Sequence, residues 1–221
     1  MLAIFDLDET LIRGDSSQLF TEFLRAEDID ATPDSEARDR AFMSAYSNGH
    51  LDLQDYMEYS LAPIRGWPRN QVEALIDRFV TEVIPPRVLP TGQERVAWHK
   101  AQGHDLLIIS ATGEHLVSPI ARQLGIDDDI GVQVEWQDDN LKGTIGTRRP
   151  FRDGKVSALK EWIAARSATP EKVWFYSDSH NDLPLLRSVD YPVAVNPDSV
   201  LEDYARRQGW RVLIDRASPS P

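Results

Sequence analysis

Two short acidic motifs hold the residues whose types and spacing best suit chemistry. The first is the Asp-Leu-Asp-Glu-Thr segment at residues 6–10, which directly follows an apolar run at residues 2–5. In an extended chain, residues two positions apart point to the same side, so the carboxylates of Asp6 and Asp8 would lie close together. Like charges this close need a cation or a bound proton, and a hard divalent metal such as Mg²⁺ meets that need. The motif alone is also typical of an acidic loop that caps the next element.

The second acidic motif is Asp-Ser-His-Asn-Asp at residues 178–182, again just past an apolar run at residues 173–176. Taken alone, it is equally typical of an Asx turn or of a helix N-cap before Leu183. Because both motifs follow apolar strands and would meet at the same edge of a parallel sheet, the pair predicts that the two motifs share one metal ion.

Two further segments could neutralise a phosphate. Ser110, Ala111 and Thr112 follow the apolar run 106–109, where a hydroxyl and free N–H groups before a helix would form an anion site. Lys155 stands at the start of a predicted helix, where a cation opposes the helix dipole. A role as the phosphate's counter-charge explains that position better than a solvated surface charge does, although either segment alone is also typical of ordinary structure.

The hydrophobic pattern predicts an α/β fold. Apolar strands are expected at residues 2–5, 105–109, 173–176, 192–195 and 211–214, with helices between them and a small hairpin within 131–147 that turns at 138–140. Residues 16–88 are predicted to be helical throughout. Alternating strands and helices imply a doubly wound, Rossmann-like parallel sheet, in which ligands bind beyond the carboxyl ends of the strands.

Composition excludes several classes of function. The chain has 221 residues, a formal net charge of −12 and no cysteine, so thiolate chemistry is excluded and a polyanion such as nucleic acid would be repelled. We expect no signal peptide, no membrane span and a cytoplasmic location. His180 borders the second acidic motif without an assigned role, and the other histidines, which lack metal-ligand spacing, are predicted to be ordinary surface or core residues: His50, His99, His104 and His115.

In this order, the four pieces resemble the motifs of the haloacid dehalogenase (HAD) superfamily. The resemblance spans essentially the whole chain, through residues 6–10, Ser110, Lys155 and residues 178–182. The helical insertion looks like the cap of the phosphoserine phosphatase-like subgroup. The resemblance therefore implies an α/β core domain at 1–15 and 89–221 and a helical cap domain at 16–88.

The resemblance also implies a role for each motif residue. Asp6 would be the nucleophile that forms an aspartyl-phosphate, and Asp8 would protonate the leaving alcohol and then activate water. Mg²⁺ would be held by Asp6, the backbone carbonyl of Asp8, and Asp178.

The remaining motif residues have supporting roles in the family. Asn181 and Asp182 would support the waters of the metal. Ser110, the N–H groups near Ala111 and Lys155 would neutralise the phosphoryl oxygens.

The substrate implied is a small phosphorylated metabolite. Asp15 stands where phosphoserine phosphatases carry the Glu that meets the substrate amine. The Arg that grips the substrate carboxylate aligns near Ser60 or Leu61, and Arg65 is offset from that position. An amine without a carboxylate fits this pattern, so we rank histidinol-phosphate first, phosphoserine second and phosphoethanolamine-like esters third. A monomer and a homodimer both remain open.

Two other functions are compatible with the same scaffold. One is a phosphotransferase or a dehalogenase, although dehalogenases of this family lack the second acid that Asp8 provides here. The other is a non-catalytic binding protein, for which an acidic surface and a helical insertion would serve a partner. Release of halide from a 2-haloacid without phosphate release from any ester would support a dehalogenase. The absence of Mg²⁺ binding and of turnover on any phosphate ester would support the binding protein.

Overall fold

The computed structural model describes residues 1–29 and 35–215 of the chain. Its strands are β1 (Leu2–Phe5), β2 (Asp105–Gly113), β3 (Asp128–Val132), β4 (Val134–Gln137), β5 (Asn140–Ile145), β6 (Val173–Ser177), β7 (Tyr191–Val195) and β8 (Arg211–Leu213). Its α-helices are α1 (Ser16–Ala26), α2 (Ser35–Ser47), α3 (Leu53–Leu61), α4 (Arg69–Glu82), α5 (Pro90–Ala101), α6 (Glu114–Gln123), α7 (Asp153–Ala164), α8 (Leu183–Leu186) and α9 (Ser199–Gln208).

Six strands form one parallel sheet in the order β3-β2-β1-β6-β7-β8. The central strand is β1, where Ile4 pairs with Leu107 of β2 on one side and with Phe175 of β6 on the other. The chain builds outward from β1 through β2 and β3, then returns to the opposite side for β6 to β8. The strand order therefore reverses between β1 and β6, and the predicted doubly wound α/β fold is confirmed.

Strand β1 is apolar throughout because both faces of the sheet are covered. Ala3 and Phe5 join a cluster that includes side chains of α1 and of α3 to α6, whereas Leu2 and Ile4 join a second cluster with α7, α8 and α9. All four side chains are fully buried. A helix layer on each face thus fixes the end of β1, where the first acidic motif begins.

Helices α1 to α4 occupy the predicted helical segment. Asp15 is the N-cap of α1 and Asp52 is the N-cap of α3, each through a side-chain oxygen that accepts from backbone N–H groups. The apolar stripes of α1 and α4 meet at Phe20 and Phe79, whose ring centroids are 5.1 Å apart. The division of the chain into a core domain and a cap domain stays a prediction.

Strands β4 and β5 form the predicted antiparallel hairpin. Its turn contains Asp138 and Asp139, both with positive φ (49° and 62°), as a tight hairpin turn requires. The hairpin also contacts the helical segment, because the N–H of Gly66 donates to the carbonyl of Leu141 at 2.7 Å.

Two strand assignments differ from the sequence prediction. Strand β2 runs to Gly113 rather than ending at residue 109, since Gly113 pairs with Val132 after an irregularity in the ladder. Strand β3 was not predicted, because it begins with Asp128 and Asp129 and acidic residues are uncommon in strands.

Other predictions fall on residues outside the described ranges. These are the frayed tail at residues 217–221 and the part of the helical segment at 30–34. Within residues 1–29 and 35–215, no helix has the length and apolar character needed to cross a membrane.

Candidate active site

The two acidic motifs meet at the edge of the sheet where the strand order reverses. Asp6 directly follows β1, and its N–H donates to the carbonyl of Tyr176 in β6 at 2.9 Å. Asp178 directly follows β6. Parallel neighbours bring their carboxyl ends to one edge, which is where doubly wound sheets bind ligands.

A cavity of about 310 Å³ lies at this edge. Its volume falls within the range of about 300–1,000 Å³ that is common for small-molecule sites. The predicted site residues that line it are Asp6, Asp8, Asp15, Ser110, Ala111 and Asp178. Further lining residues from the core and from α1 are Glu9, Gly14, Ser17, Gln18 and Thr112, and the α2–α3 region contributes Met43, Tyr46, Leu51, Leu53 and Tyr56.

Lys155 lies behind the cavity and joins the two motifs. Its ammonium donates to Asp6 Oδ1 at 2.8 Å and to Asp182 Oδ2 at 2.7 Å. Burial alone disfavours the charged ammonium, but the two carboxylates outweigh that effect and raise the pKa of Lys155. These two ion pairs explain why a cation is found in the first turn of α7, against the helix dipole.

The carboxylates around Lys155 carry more negative charge than one ammonium neutralises. Burial raises the pKa of Asp6, although Lys155 opposes the shift. Burial also raises the pKa of Asp182 to about 6, again against the effect of Lys155. Burial, with the charges of Asp6 and Asp182, raises the pKa of Asp178 well above its usual value. A bound cation or proton would relieve this excess charge.

Asp8 is held by hydrogen bonds from two elements. The hydroxyl of Thr112 donates to Oδ2 at 2.9 Å, and the N–H of Ser16 donates to Oδ1 at 2.7 Å. Burial raises the pKa of Asp8 to about 7, and the charge of Asp15 adds to the shift. Thr112 belongs to the predicted anion segment, although the sequence assigns it no role. Its position two residues after Ser110 puts both side chains on the same side of an extended strand.

The oxygen atoms near Asp178 are those that Mg²⁺ prefers. The hydroxyl of Thr10 lies 3.4 Å from Asp178 Oδ1. Asn181 donates from Nδ2 to the carbonyl of Tyr46 at 3.2 Å, while its buried Oδ1 has no hydrogen-bond partner among the described residues. Asn181 directly precedes the buried Asp182, and an amide oxygen without a partner is a ligand type that suits a hard cation and its waters.

Among the described residues, no group of three or more His, Cys, Asp or Glu side chains is arranged to hold a metal ion. The predicted ligands require none, since they are two carboxylates, of Asp6 and Asp178, and the backbone carbonyl of Asp8. Mg²⁺ usually keeps several waters and binds through one or two carboxylates. These residues therefore fit the ion.

Asp15 lines the cavity while it caps α1. Its Oδ1 accepts from the N–H of Gln18 at 2.8 Å, and burial raises the pKa of Asp15. Arg65 is exposed, does not line the cavity and reaches the carbonyl of Gly143 at 3.5 Å. Leu61 is fully buried and Ser60 is half-buried, and neither lines the cavity.

The histidines take structural positions. His99 is fully buried and lies 2.9 Å from the hydroxyl of Tyr176. His180 Nδ1 lies 2.8 Å from Asp198 Oδ2, and neither residue lines the cavity.

The fold and the sequence together define a class of enzyme. Residues 3–187 match the haloacid dehalogenase-like hydrolase family. The chain belongs to this family, which confirms the predicted resemblance and the prediction of a hydrolase.

Named relatives agree with the predicted phosphatase class. The chain is 38% identical over 217 residues to a histidinol-phosphatase of Neisseria meningitidis, and the match covers 96% of this chain and 97% of that one. A protein of unknown function from Bordetella pertussis has a crystal structure with a TM-score of 0.86 and 33% identity, covering 96% of this chain and 97% of that one. A solved structure described as a phospho-aspartyl intermediate analogue of phosphoserine phosphatase has a TM-score of 0.68 at 16% identity. The match covers 97% of this chain and 93% of that one, which supports the shared fold.

Proposed function

We propose that this protein is a Mg²⁺-dependent phosphomonoesterase that works through an aspartyl-phosphate on Asp6. The observation that carries the proposal is the position of Asp6: it follows the central strand, lines the cavity and is bound by Lys155 at 2.8 Å. An Oδ of Asp6 attacks phosphorus, and the bond from phosphorus to the alcohol oxygen breaks.

Asp8 suits both proton transfers of such a reaction. A pKa of about 7 leaves the protonated and ionised forms both available near neutral pH. Protonated Asp8 gives its proton to the leaving alcohol. The resulting carboxylate then takes a proton from the water that attacks the aspartyl-phosphate, which releases phosphate and restores Asp6.

Mg²⁺ would be held by Asp6, Asp178 and the backbone carbonyl of Asp8, with Asn181 and Asp182 supporting its waters. The ion supplies charge neutralisation for the phosphoryl group. The orphaned Oδ1 of Asn181 and the raised pKa of Asp178 support this assignment.

The phosphoryl oxygens would lie against the end of β2. Ser110 and Ala111 line the cavity there, and the Ser110 hydroxyl oxygen already accepts from the N–H of Thr112 at 3.1 Å. The hydroxyl hydrogen of Ser110 and nearby backbone N–H groups are then the donors for phosphate oxygens. Lys155 acts from behind Asp6 by balancing the charge of the nucleophile.

Histidinol-phosphate is the substrate that we propose first. The histidinol-phosphatase relative supports it, as do the position of Asp15 in the cavity and the position of Arg65 outside it. Phosphoserine is the alternative, favoured by the fold shared with a phosphoserine phosphatase. The cytoplasmic location and the choice between monomer and homodimer stay predictions from the sequence.

The test is an Asp6→Asn variant assayed for Mg²⁺-dependent hydrolysis of a generic aryl phosphate. We expect turnover by the parent protein, its loss on chelation, and no turnover by the variant. Asp203→Asn, at an exposed position of α9, is the matched control and should leave the rate unchanged. Retained turnover by Asp6→Asn would remove Asp6 as the nucleophile. The absence of turnover on any phosphate ester by the parent protein would favour a non-catalytic binding protein.

A further inference from the structure

The residues that the α2–α3 region contributes to the cavity are neutral: Met43, Tyr46, Leu51, Leu53 and Tyr56. The rest of the lining contains five carboxylates, from Asp6, Asp8, Glu9, Asp15 and Asp178, and no Lys, Arg or His is among the described residues that line the cavity. Once Asp6, Asp8 and Asp178 are assigned to the phosphoryl group and its metal, Asp15 and Glu9 remain for the alcohol part of the substrate.

Tyr56 lines the same cavity as Asp15 and is held in place by packing. The residue is 8% exposed, and its ring packs against the ring of Phe42 with centroids 5.3 Å apart. Burial raises the pKa of Tyr56 well above its usual value, the charge of Asp15 adds to the shift, and a hydrogen bond with the Ser17 side chain opposes it. The ring is therefore a neutral aromatic surface close to a buried carboxylate.

An aromatic ring and a carboxylate together recognise an ammonium. The carboxylate provides the opposite charge, and the negative face of the ring attracts a cation, most strongly where water is excluded. A substrate carboxylate in the same place would meet only negative or neutral groups, and a buried charge without a partner is strongly disfavoured.

Building on the proposed function, we infer that Tyr56 is a specificity-determining residue which, with Asp15, forms an ammonium subsite. This subsite selects phosphate esters whose alcohol carries an amine and no carboxylate. The selection is for the organic part of the substrate, so it leaves the phosphoryl chemistry unchanged.

The experiment compares kcat/KM for three probes: histidinol-phosphate, phosphoserine and an aryl phosphate without an amine. Tyr56→Leu removes the ring, and Tyr56→Phe keeps it without the hydroxyl. We expect Tyr56→Leu to lower kcat/KM for histidinol-phosphate about tenfold, the effect of losing one desolvated cation–π contact, while the loss on the aryl phosphate should be smaller because it carries no ammonium. Tyr56→Phe should stay within about threefold of the parent protein on all three probes, because a Phe ring also attracts cations.

Tyr59→Leu is the control variant. Tyr59 lies on the same helix, packs against Phe42 at 5.2 Å and does not line the cavity, so the ratio between probes should stay unchanged. An equal loss on all probes in Tyr56→Leu, or a parent protein that prefers phosphoserine to histidinol-phosphate, would overturn the inference while the phosphatase assignment stands. A parent protein inactive on every probe would instead defeat the proposed function.

Discussion

Replacing Lys155 with Met tests the charge arrangement behind the nucleophile. Lys155 is 2% exposed and makes two ion pairs, at 2.8 Å with Asp6 and at 2.7 Å with Asp182. Hydrogen bonds to charged groups contribute about 1.5–3 kcal/mol each, so the two bonds of Lys155 together contribute about 3–6 kcal/mol to the folded state. Removing one partner of a buried ion pair costs about 3–5 kcal/mol, because it leaves an uncompensated buried charge. We therefore expect the free energy of unfolding to fall by about 3–5 kcal/mol.

The measurement is urea denaturation at pH 8 in the presence of a chelator, followed by tryptophan fluorescence. Lys172→Met is the matched control, since Lys172 pairs with Asp190 at the same 2.7 Å but both side chains are about a third exposed or more. Exposed pairs contribute about 0–1 kcal/mol, so the control should be nearly as stable as the parent protein. Lys155→Met should also lose about 10²-fold or more of the turnover, as expected when an electrostatic group at a phosphoryl site is removed.

A double variant, Lys155→Met with Asp182→Asn, completes the cycle. Neutralising Asp182 removes one of the two stranded charges, so the double variant should be more stable than Lys155→Met alone. Equal losses in Lys155→Met and Lys172→Met, or a double variant less stable than Lys155→Met, would refute the reasoning.

Three further predictions follow from other contacts. Gly92→Ala should lower the free energy of unfolding by about 1–3 kcal/mol in thermal denaturation, because an added Cβ would lie 2.7 Å from the carbonyl oxygen of Thr10; unchanged stability would contradict that close approach. Burial lowers the pKa of His99 from 6.5 to about 4, so between these pH values the unfolded chain binds a proton that the folded chain does not. As the pH decreases through that window, the free energy of unfolding should therefore decrease by up to about 1.4 kcal/mol per pH unit. In urea titrations, His99→Gln should show a shallower dependence of the free energy of unfolding on pH, and an equal dependence in both proteins would count against the prediction. Thr112→Val removes a donor that lowers the pKa of Asp8, so that pKa should rise above about 7, and the limb of the pH–rate profile that Asp8 governs, descending where it acts as acid and ascending where it acts as base, should move to higher pH; an unmoved limb would exclude the contact.

Much of the fold could be predicted from the sequence because strong local patterns agree with the tertiary structure. The apolar run before Asp6 correctly predicted β1, and the polar turn at residues 138–140 correctly predicted the hairpin of β4 and β5. Strand β3 was not predicted because it begins with two acidic residues, which hide the apolar pattern of a strand. Its formation depends on pairing with β2, which the local sequence does not show.

The site shows a similar division. The motifs predicted Asp6, Asp8 and Asp178, and the structure brings all three to one cavity because the ends of β1 and β6 lie at one edge of the sheet. The contribution of Tyr56 was beyond reach, because in the sequence it reads as one apolar position in a helical stripe. Its place over the cavity depends on how α3 packs against the rest of the chain.

The hydrogen bond from the N–H of Ser16 to Asp8, at 2.7 Å, links proton transfer to the orientation of α1. Ser16 is the first residue of that helix, and this bond lowers the pKa of Asp8. Any shift of Ser16 relative to Asp8 would remove that donor, so the proton affinity of the acid–base residue depends on where the first turn of α1 begins.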